Sequence, residues 1–154
     1  MKVVSNSSPL IFLSAIGLLE LLKNEFREIS IPEVVYEEIT SNDLKGSNEV
    51  RNADWIKVMP VKNKDALTFS SLLDKGEEDA ILLASEQKAD LLLIDDLAGR
   101  RAASMHGINV MGTLGFLKIM HKKGRIRNLK TFLDDLKKQG LWMNEDLYKL
   151  MLED

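Results

Sequence analysis

Carboxylates recur in this 154-residue chain at places where a strand-and-helix fold would gather them. Asp95 and Asp96 directly follow Leu91-Leu92-Leu93-Ile94, a continuous apolar run of the kind that makes a central strand covered on both faces. Glu77, Glu78 and Asp79 follow Gly76 at the head of a helical stretch, and Glu37 and Glu38 lie on another helix. Asn6 follows the first strand and supplies a neutral side-chain oxygen. Carboxylates sharing one cleft repel one another, and their pKa values rise unless a cation neutralises them. Mg²⁺ and Mn²⁺ suit such a cleft, because they take hard oxygen ligands and keep several waters. Ions of this kind activate water and stabilise the leaving oxygen in phosphodiester cleavage, and they draw phosphate to acidic ground. Each residue also has a plainer role. Acids in a first helical turn complement the dipole, Glu37 and Glu38 could form a solvated face, and Asp96 and Asn6 could cap helices. Glu77 and Asp79, two apart, lie about 200° around a regular helix and cannot both face one point. Asp95 and Asp96 are similarly restricted.

The composition narrows the choices. With 45% hydrophobic and 29% charged residues the chain is globular rather than disordered. The formal net charge is −3, so nucleic acid could be held only by a local basic patch or through a bound cation. There is no Cys, hence no disulfide, no thiolate metal site and no Cys nucleophile. The apolar run from Ser8 to Leu19 is broken by Ser and Gly and falls short of the roughly 18 to 20 residues that span a bilayer. The N-terminus lacks a basic region followed by a small-residue cleavage site, so no signal peptide is expected and a cytoplasmic location is. Neither a G-x-x-x-x-G-K-[ST] loop nor a G-x-G-x-x-G fingerprint is present. His106 and His121 lie beside expected helix ends, far apart, and read as surface or capping groups.

The elements that must position the acids alternate strand and helix. Strands are expected at 2–5, 28–31, 55–61, 91–94 and 108–111, the third at an edge because Pro60 offers no ladder donor. Helices are expected at 9–24 with Gly17 tolerated inside, 32–40, 65–73, 77–88, 98–105 and 113–122. Residues 41–52 read as a polar loop and 74–76 as a break. Leu129, Phe132, Leu133 and Leu136 recur at helical spacing, and Asn144 can cap a last helix carrying Leu147, Leu150 and Met151. Trp142 and these last helices could cover the core or pair with another chain. Strands separated by helices imply right-handed crossovers and a parallel sheet between helical layers, with the strand ends gathered on one edge. If the first and fourth strands are neighbours, Asn6 and the Asp95-Asp96 pair are neighbours too.

In these segments the chain resembles the PIN-domain proteins, in particular a small prokaryotic branch similar to toxin-type ribonucleases. The resemblance is carried by Val3-Val4-Ser5-Asn6-Ser7-Ser8-Pro9-Leu10-Ile11, Ile31-Pro32-Glu33-Val34-Val35-Tyr36-Glu37-Glu38-Ile39, Gly76-Glu77-Glu78-Asp79-Ala80-Ile81 and Leu91-Leu92-Leu93-Ile94-Asp95-Asp96. It implies a three-layer α/β/α fold on a central parallel sheet of about five strands. It also implies a PIN-like domain over 1–125 and a C-terminal helical extension over 126–154, packed on the domain or a partner. The implied activity is that of a Mg²⁺- or Mn²⁺-dependent endoribonuclease. The family's first Asp falls on Asn6, with a nearby hydroxyl on Ser8. Its second acid falls on Glu38, its third on Asp79 with Glu77 as an extra acid of the branch, and its fourth on Asp96 with Asp95 beside it. The expected metal set is therefore Asn6, Glu38, Glu77, Asp79, Asp95 and Asp96. Many relatives are toxins held by a small antitoxin protein, and many are homodimers.

This chain departs from the family at Asn6, where a carboxylate is usual, and at Ile94, where a Thr or Ser is usual. An amide oxygen can still coordinate a hard cation, but the site loses one negative charge. The leading expectation is RNA cleavage with Glu38, Asp79 and Asp96 around one or two ions. Arg100 and Arg101 are expected to grip the backbone, and Lys122, Lys123, Arg125 and Arg127 are further candidates. The alternative is a PIN-like module with weakened or lost catalysis that binds RNA or protein. Phosphoryl-transfer domains on similar sheets fit less well, because they want an Asp nucleophile or an early acidic pair that Asn6 does not supply.

Overall fold

Alternation along very short strands builds the framework. The computed structural model describes residues 1–41 and 46–153. Its strands are β1 (Val3–Ser5), β2 (Ile29–Pro32), β3 (Ile56–Met59), β4 (Leu91–Leu93) and β5 (Val110–Met111). They form one sheet in the order β3-β2-β1-β4-β5, with every pair parallel. Val3 aligns with Leu91 and Ser5 with Leu93, while Val4 aligns with Leu92. Because successive side chains point to opposite faces, this register sorts the apolar residues into two cores. Val3, Leu91 and Leu93 join Leu10, Leu13, Phe116 and Leu117 on one face. Val4, Leu92 and Ile94 join Ala80, Ile81, Leu83 and Ala103 on the other. The sheet thus lies between two helical layers, a three-layer α/β/α arrangement, and β3 takes the edge that Pro60 predicts.

The helices are α1 (Ser7–Ala15), α2 (Glu20–Phe26), α3 (Glu33–Thr40), α4 (Ser47–Asn52), α5 (Lys75–Glu86), α6 (Leu97–Met105), α7 (Thr113–Lys122), α8 (Leu129–Lys138) and α9 (Glu145–Leu152). Several differ from expectation. The helix expected over 9–24 is two helices, because Gly17 adopts φ +76 and closes α1. Gly17 N–H donates to Ser14 O and Leu18 N–H to Leu13 O, the paired bonds of a left-handed helix stop. The polar stretch 41–52 contains α4, whose single buried aliphatic, Val50, leaves no apolar period to read; residues 42–45 of that stretch lie outside the described residues. No helix forms over 65–73. There the hydroxyl and amide side chains engage the backbone locally, Ser70 Oγ accepting from Leu72 N–H and Asn63 Oδ1 from Asp65 N–H. Leu67, Phe69 and Leu73 still pack on the second core. The break expected at 74–76 is a helix start, since Asp74 caps α5.

The last elements follow the apolar pattern. α8 buries Leu129, Leu133 and Leu136, and Asn144 Oδ1 caps α9 by accepting from Leu147 N–H. Leu150 faces solvent, whereas Met151 is buried. Ile126, Leu129, Leu133, Leu136, Met143 and Met151 belong to the same core cluster as Val3 and Leu93. Among the described residues no helix is long and apolar enough to cross a membrane.

Candidate active site

The strand order turns outward between β1 and β4: β2 lies beyond one, β5 beyond the other. The carboxyl ends of such a pair frame the crevice where open α/β sheets place ligands. Asn6 leaves β1 there, its N–H donating to Leu93 O at 2.8 Å, and Asp96 arrives there from β4. The sequence expectation that these groups are neighbours therefore rests on direct strand pairing.

Asn6 occupies the N-cap position of α1, yet its side chain makes no capping bond. The residue is only 4% exposed, and its Oδ1 is buried without any hydrogen-bond partner. Leaving a buried acceptor unsatisfied costs about 1–3 kcal/mol, so this oxygen adds nothing to the stability of the fold.

Glu38 enters from the last turns of α3. Ser7 Oγ donates to its Oε2 at 2.9 Å; Ser8, the hydroxyl expected near Asn6, is half-buried. The other carboxylate oxygen lies against Gly76, where a Cβ would come within 2.4 Å of Glu38 Oε1. Gly76 is thus the residue that lets α3 and α5 bring their acids together. Burial raises the Glu38 pKa; the Ser7 bond opposes that rise, and the charges of Asp74 and Asp79 add to it.

At the head of α5, Asp74 Oδ1 accepts from Glu77 N–H at 2.8 Å and Glu77 Oε1 accepts from Asp74 N–H at 2.9 Å. This reciprocal capping box fixes the Glu77 carboxyl. Burial pushes its pKa up to about 7; the backbone bond works the other way, and the Asp74 and Asp96 charges and a hydrogen-bonded contact with Asp96 push further up. Asp96 itself caps α6, its Oδ2 accepting from Gly99 N–H at 2.8 Å. The Glu77 carboxyl is thus held well above the usual carboxylate range beside Asp96.

Asp79, two residues further on, points elsewhere, as helical geometry requires. Its side chain is 3% exposed, with Lys75 Nζ 3.1 Å from Oδ1 and Lys64 Nζ 3.5 Å from Oδ2. The Lys75 contact is an ion pair without hydrogen-bond alignment, because Oδ1 is buried and accepts no bond. The acids form an arc, the charges of Asp74 and Asp79 acting on Glu38 and those of Asp74 and Asp96 on Glu77.

Asp95 is not brought into this arc. It turns to α7, its Oδ1 accepting from Thr113 N–H at 2.6 Å and its Oδ2 from Thr113 Oγ1 at 2.8 Å. Burial raises its pKa, the two Thr113 bonds and the Arg100 charge opposing. Arg100 and Arg101 are exposed; Arg100 lies beside Asp95, and Arg101 lines a separate groove with Phe69 and His106. Of the more distant basic candidates, Lys123 pairs with Glu25.

Among the described residues no group of three or more His, Asp or Glu is close enough to hold a metal ion as a ready-made cage. The donors nevertheless fit a hard, hydrated cation, which needs only one or two carboxylates. Asn6 and Asp79 each present a buried oxygen that accepts no bond, and the pKa values of Glu38 and Glu77 are raised by burial and by neighbouring carboxylates that a cation would neutralise. Ser7, Asp74, Lys64 and Lys75 were missed from sequence. Asp74 was findable, since an acid three residues before Glu77 at a helix start is a capping-box signature.

A family model described as a PIN domain matches residues 2–154. A search of curated proteins returns no match.

Proposed function

The chain belongs to the PIN-domain family, whose fold is of nuclease type, and from that membership we propose that it is a divalent-metal-dependent endoribonuclease. The observation that carries the reading is the buried, unbonded Oδ1 of Asn6 at the crevice between β1 and β4. A structural cap would have spent that oxygen on the α1 backbone; here it accepts no bond. Glu38, Asp79 and Asp96 would hold Mg²⁺ or Mn²⁺, directly or through water, with Asn6 adding an amide oxygen. The ion supplies charge neutralisation and water activation for phosphodiester hydrolysis.

The chain's own groups do the rest. Ser7 fixes one oxygen of Glu38, and Gly76 leaves room for the other. Glu77, its carboxyl pushed up to about 7, can pass a proton to a leaving oxygen. RNA is the proposed substrate. A small antitoxin protein, a homodimeric state and a cytoplasmic location extend the same proposal, supported by the resemblance to toxin-type relatives.

The test is cleavage of single-stranded RNA with Mn²⁺ by the natural chain and by Asp96→Asn. Asn retains the α6 cap, so a loss reports the missing charge rather than a frayed helix. Activity should fall by about tenfold to a hundredfold, the usual range for groups that support a metal. Equal rates reject the assigned site. A second reading, a weakened module that binds without cutting, is favoured by one feature, the neutral Asn6 itself. If metal binding and cleavage appear only in Asn6→Asp, that reading is the correct one.

A further inference from the structure

Asp79, the acid at one end of the arc, already has cations. Lys75 and Lys64 place their ammonium groups 3.1 Å and 3.5 Å from its two oxygens. They arrive from different segments, Lys75 from the first turn of α5 and Lys64 from the turn that follows β3. Their side chains are 52% and 56% exposed, whereas that of Asp79 is 3% exposed. Lys75 is held by charge alone, since Asp79 Oδ1 accepts no hydrogen bond, and the Lys64 contact on Oδ2 is the longer of the two. Both can swing into water at small cost, as loosely paired surface ammonium groups do. The carboxylate cannot follow them.

This arrangement sets up a competition that rests on the nuclease reading above. A dication drawn to Asp79 meets two positive groups on the same oxygens, and the mobile partners must give way. Once displaced, they stand at the rim of the cleft with free charge, beside the place where a polyanion would lie. We propose that Lys64 and Lys75 are exchangeable counter-ions: they neutralise Asp79 when the metal is away, and leave it to grip RNA phosphate when the metal arrives. They are positioning residues, acting on substrate placement and on metal affinity in opposite directions. Lysines that merely decorated the surface would move neither property, and lysines fixed to Asp79 as part of the fold would move stability instead.

The experiment is a calorimetric Mn²⁺ titration of the full chain, as the natural protein, Lys64→Ala/Lys75→Ala and Lys64→Arg/Lys75→Arg. It is paired with the salt dependence of binding to a 2′-O-methyl oligoribonucleotide that cannot be cleaved. The double alanine variant should bind Mn²⁺ more tightly, by roughly threefold to thirtyfold for the loss of two surface contacts. With Mn²⁺ present it should bind the oligonucleotide more weakly, and its log–log salt slope should be shallower by about 1.4, at about 0.7 per single-strand phosphate contact. The double arginine variant should keep both properties close to those of the natural chain. Unchanged Mn²⁺ affinity in the alanine variant overturns the exchange, and an unchanged salt slope overturns the phosphate role. Asp79→Asn should lose the Mn²⁺ signal, showing that the titration reads this site. No Mn²⁺ binding by any variant would instead remove the nuclease reading on which the exchange depends.

Discussion

Glu77 combines two duties that pull against each other. Its carboxylate completes the α5 cap, yet burial and the Asp74 and Asp96 charges favour its protonated form up to about 7. The sign of the resulting pH dependence follows directly. A carboxyl whose folded pKa lies above its ordinary 4.5 contributes stability that is complete below pH 4.5 and lost as the pH climbs to about 7. Glu77→Gln keeps the accepting oxygen and never ionises. In metal-free protein at pH 8 it should be more stable than the natural chain by roughly 1 kcal/mol, discounted for the solvated rim, or about 2–4 °C in Tm. Below pH 4.5 the two should converge. Thermal melts in chelator at both pH values check this, and superimposable curves at pH 8 would show that Glu77 carries no such strain. At this scale the identity of the acids was legible, but their aim was not. Asp95 and Asp96 are adjacent and equivalent on paper; Thr113, eighteen positions on, decides that Asp95 turns away. Asn6 read as a cap from its place before a helix, and it fills that place with its backbone while withholding its side chain.

At the scale of the element, α5 is the piece on which the arc depends. Its first turn carries the cap, the Gly76 notch and Lys75, and its next residues carry Glu77 and Asp79. Asp74→Ala removes the cap oxygen and should cost about 1 kcal/mol. The same change removes a negative neighbour of Glu77 and Glu38, so the loss in Tm should be larger at pH 5 than at pH 8. Asp74→Asn, which caps without charge, should match or exceed the natural Tm at pH 8. Thermal melts of both variants at the two pH values separate cap from charge, and an equal loss in both variants would assign the whole effect to charge. Elements with a long apolar period were legible from sequence, as α7 and α8 show. Elements defined by a stop or by local side-chain bonds were not. Gly17 is compatible with a helix interior on paper, and only its φ of +76 reveals the break. The 65–73 stretch has apolar residues enough for a helix, but Ser70 and Asn63 capture the backbone first.

For the whole molecule, alternation of strand and helix was enough to read the parallel sheet, and the pairing of β1 with β4 could be stated only conditionally. What joins the C-terminal helices to that sheet is packing. Leu133 on α8 is fully buried in the cluster that also contains Val3, Leu93 and Phe116. We expect the extension and the sheet to unfold together. Leu133→Ala should cost about 2.7–5 kcal/mol, a large share of a typical domain's 5–15 kcal/mol, within a single cooperative transition. A separate early transition for the extension, seen by calorimetry, would show that it is an appendage. The sequence could not reach this point, because an apolar stripe does not say which surface it meets.

Asn6 and Asp96 hang from two adjacent central strands whose backbones are bonded to each other and sealed on both faces. That seam cannot widen when the rim ionises. Crowded acids on a pliant surface lower their energy by drifting apart, but these can do so only by recruiting positive charge, whether hydron, ammonium or dication. The edge of the sheet is therefore a fixed socket whose occupant follows the acidity and ionic composition of its surroundings.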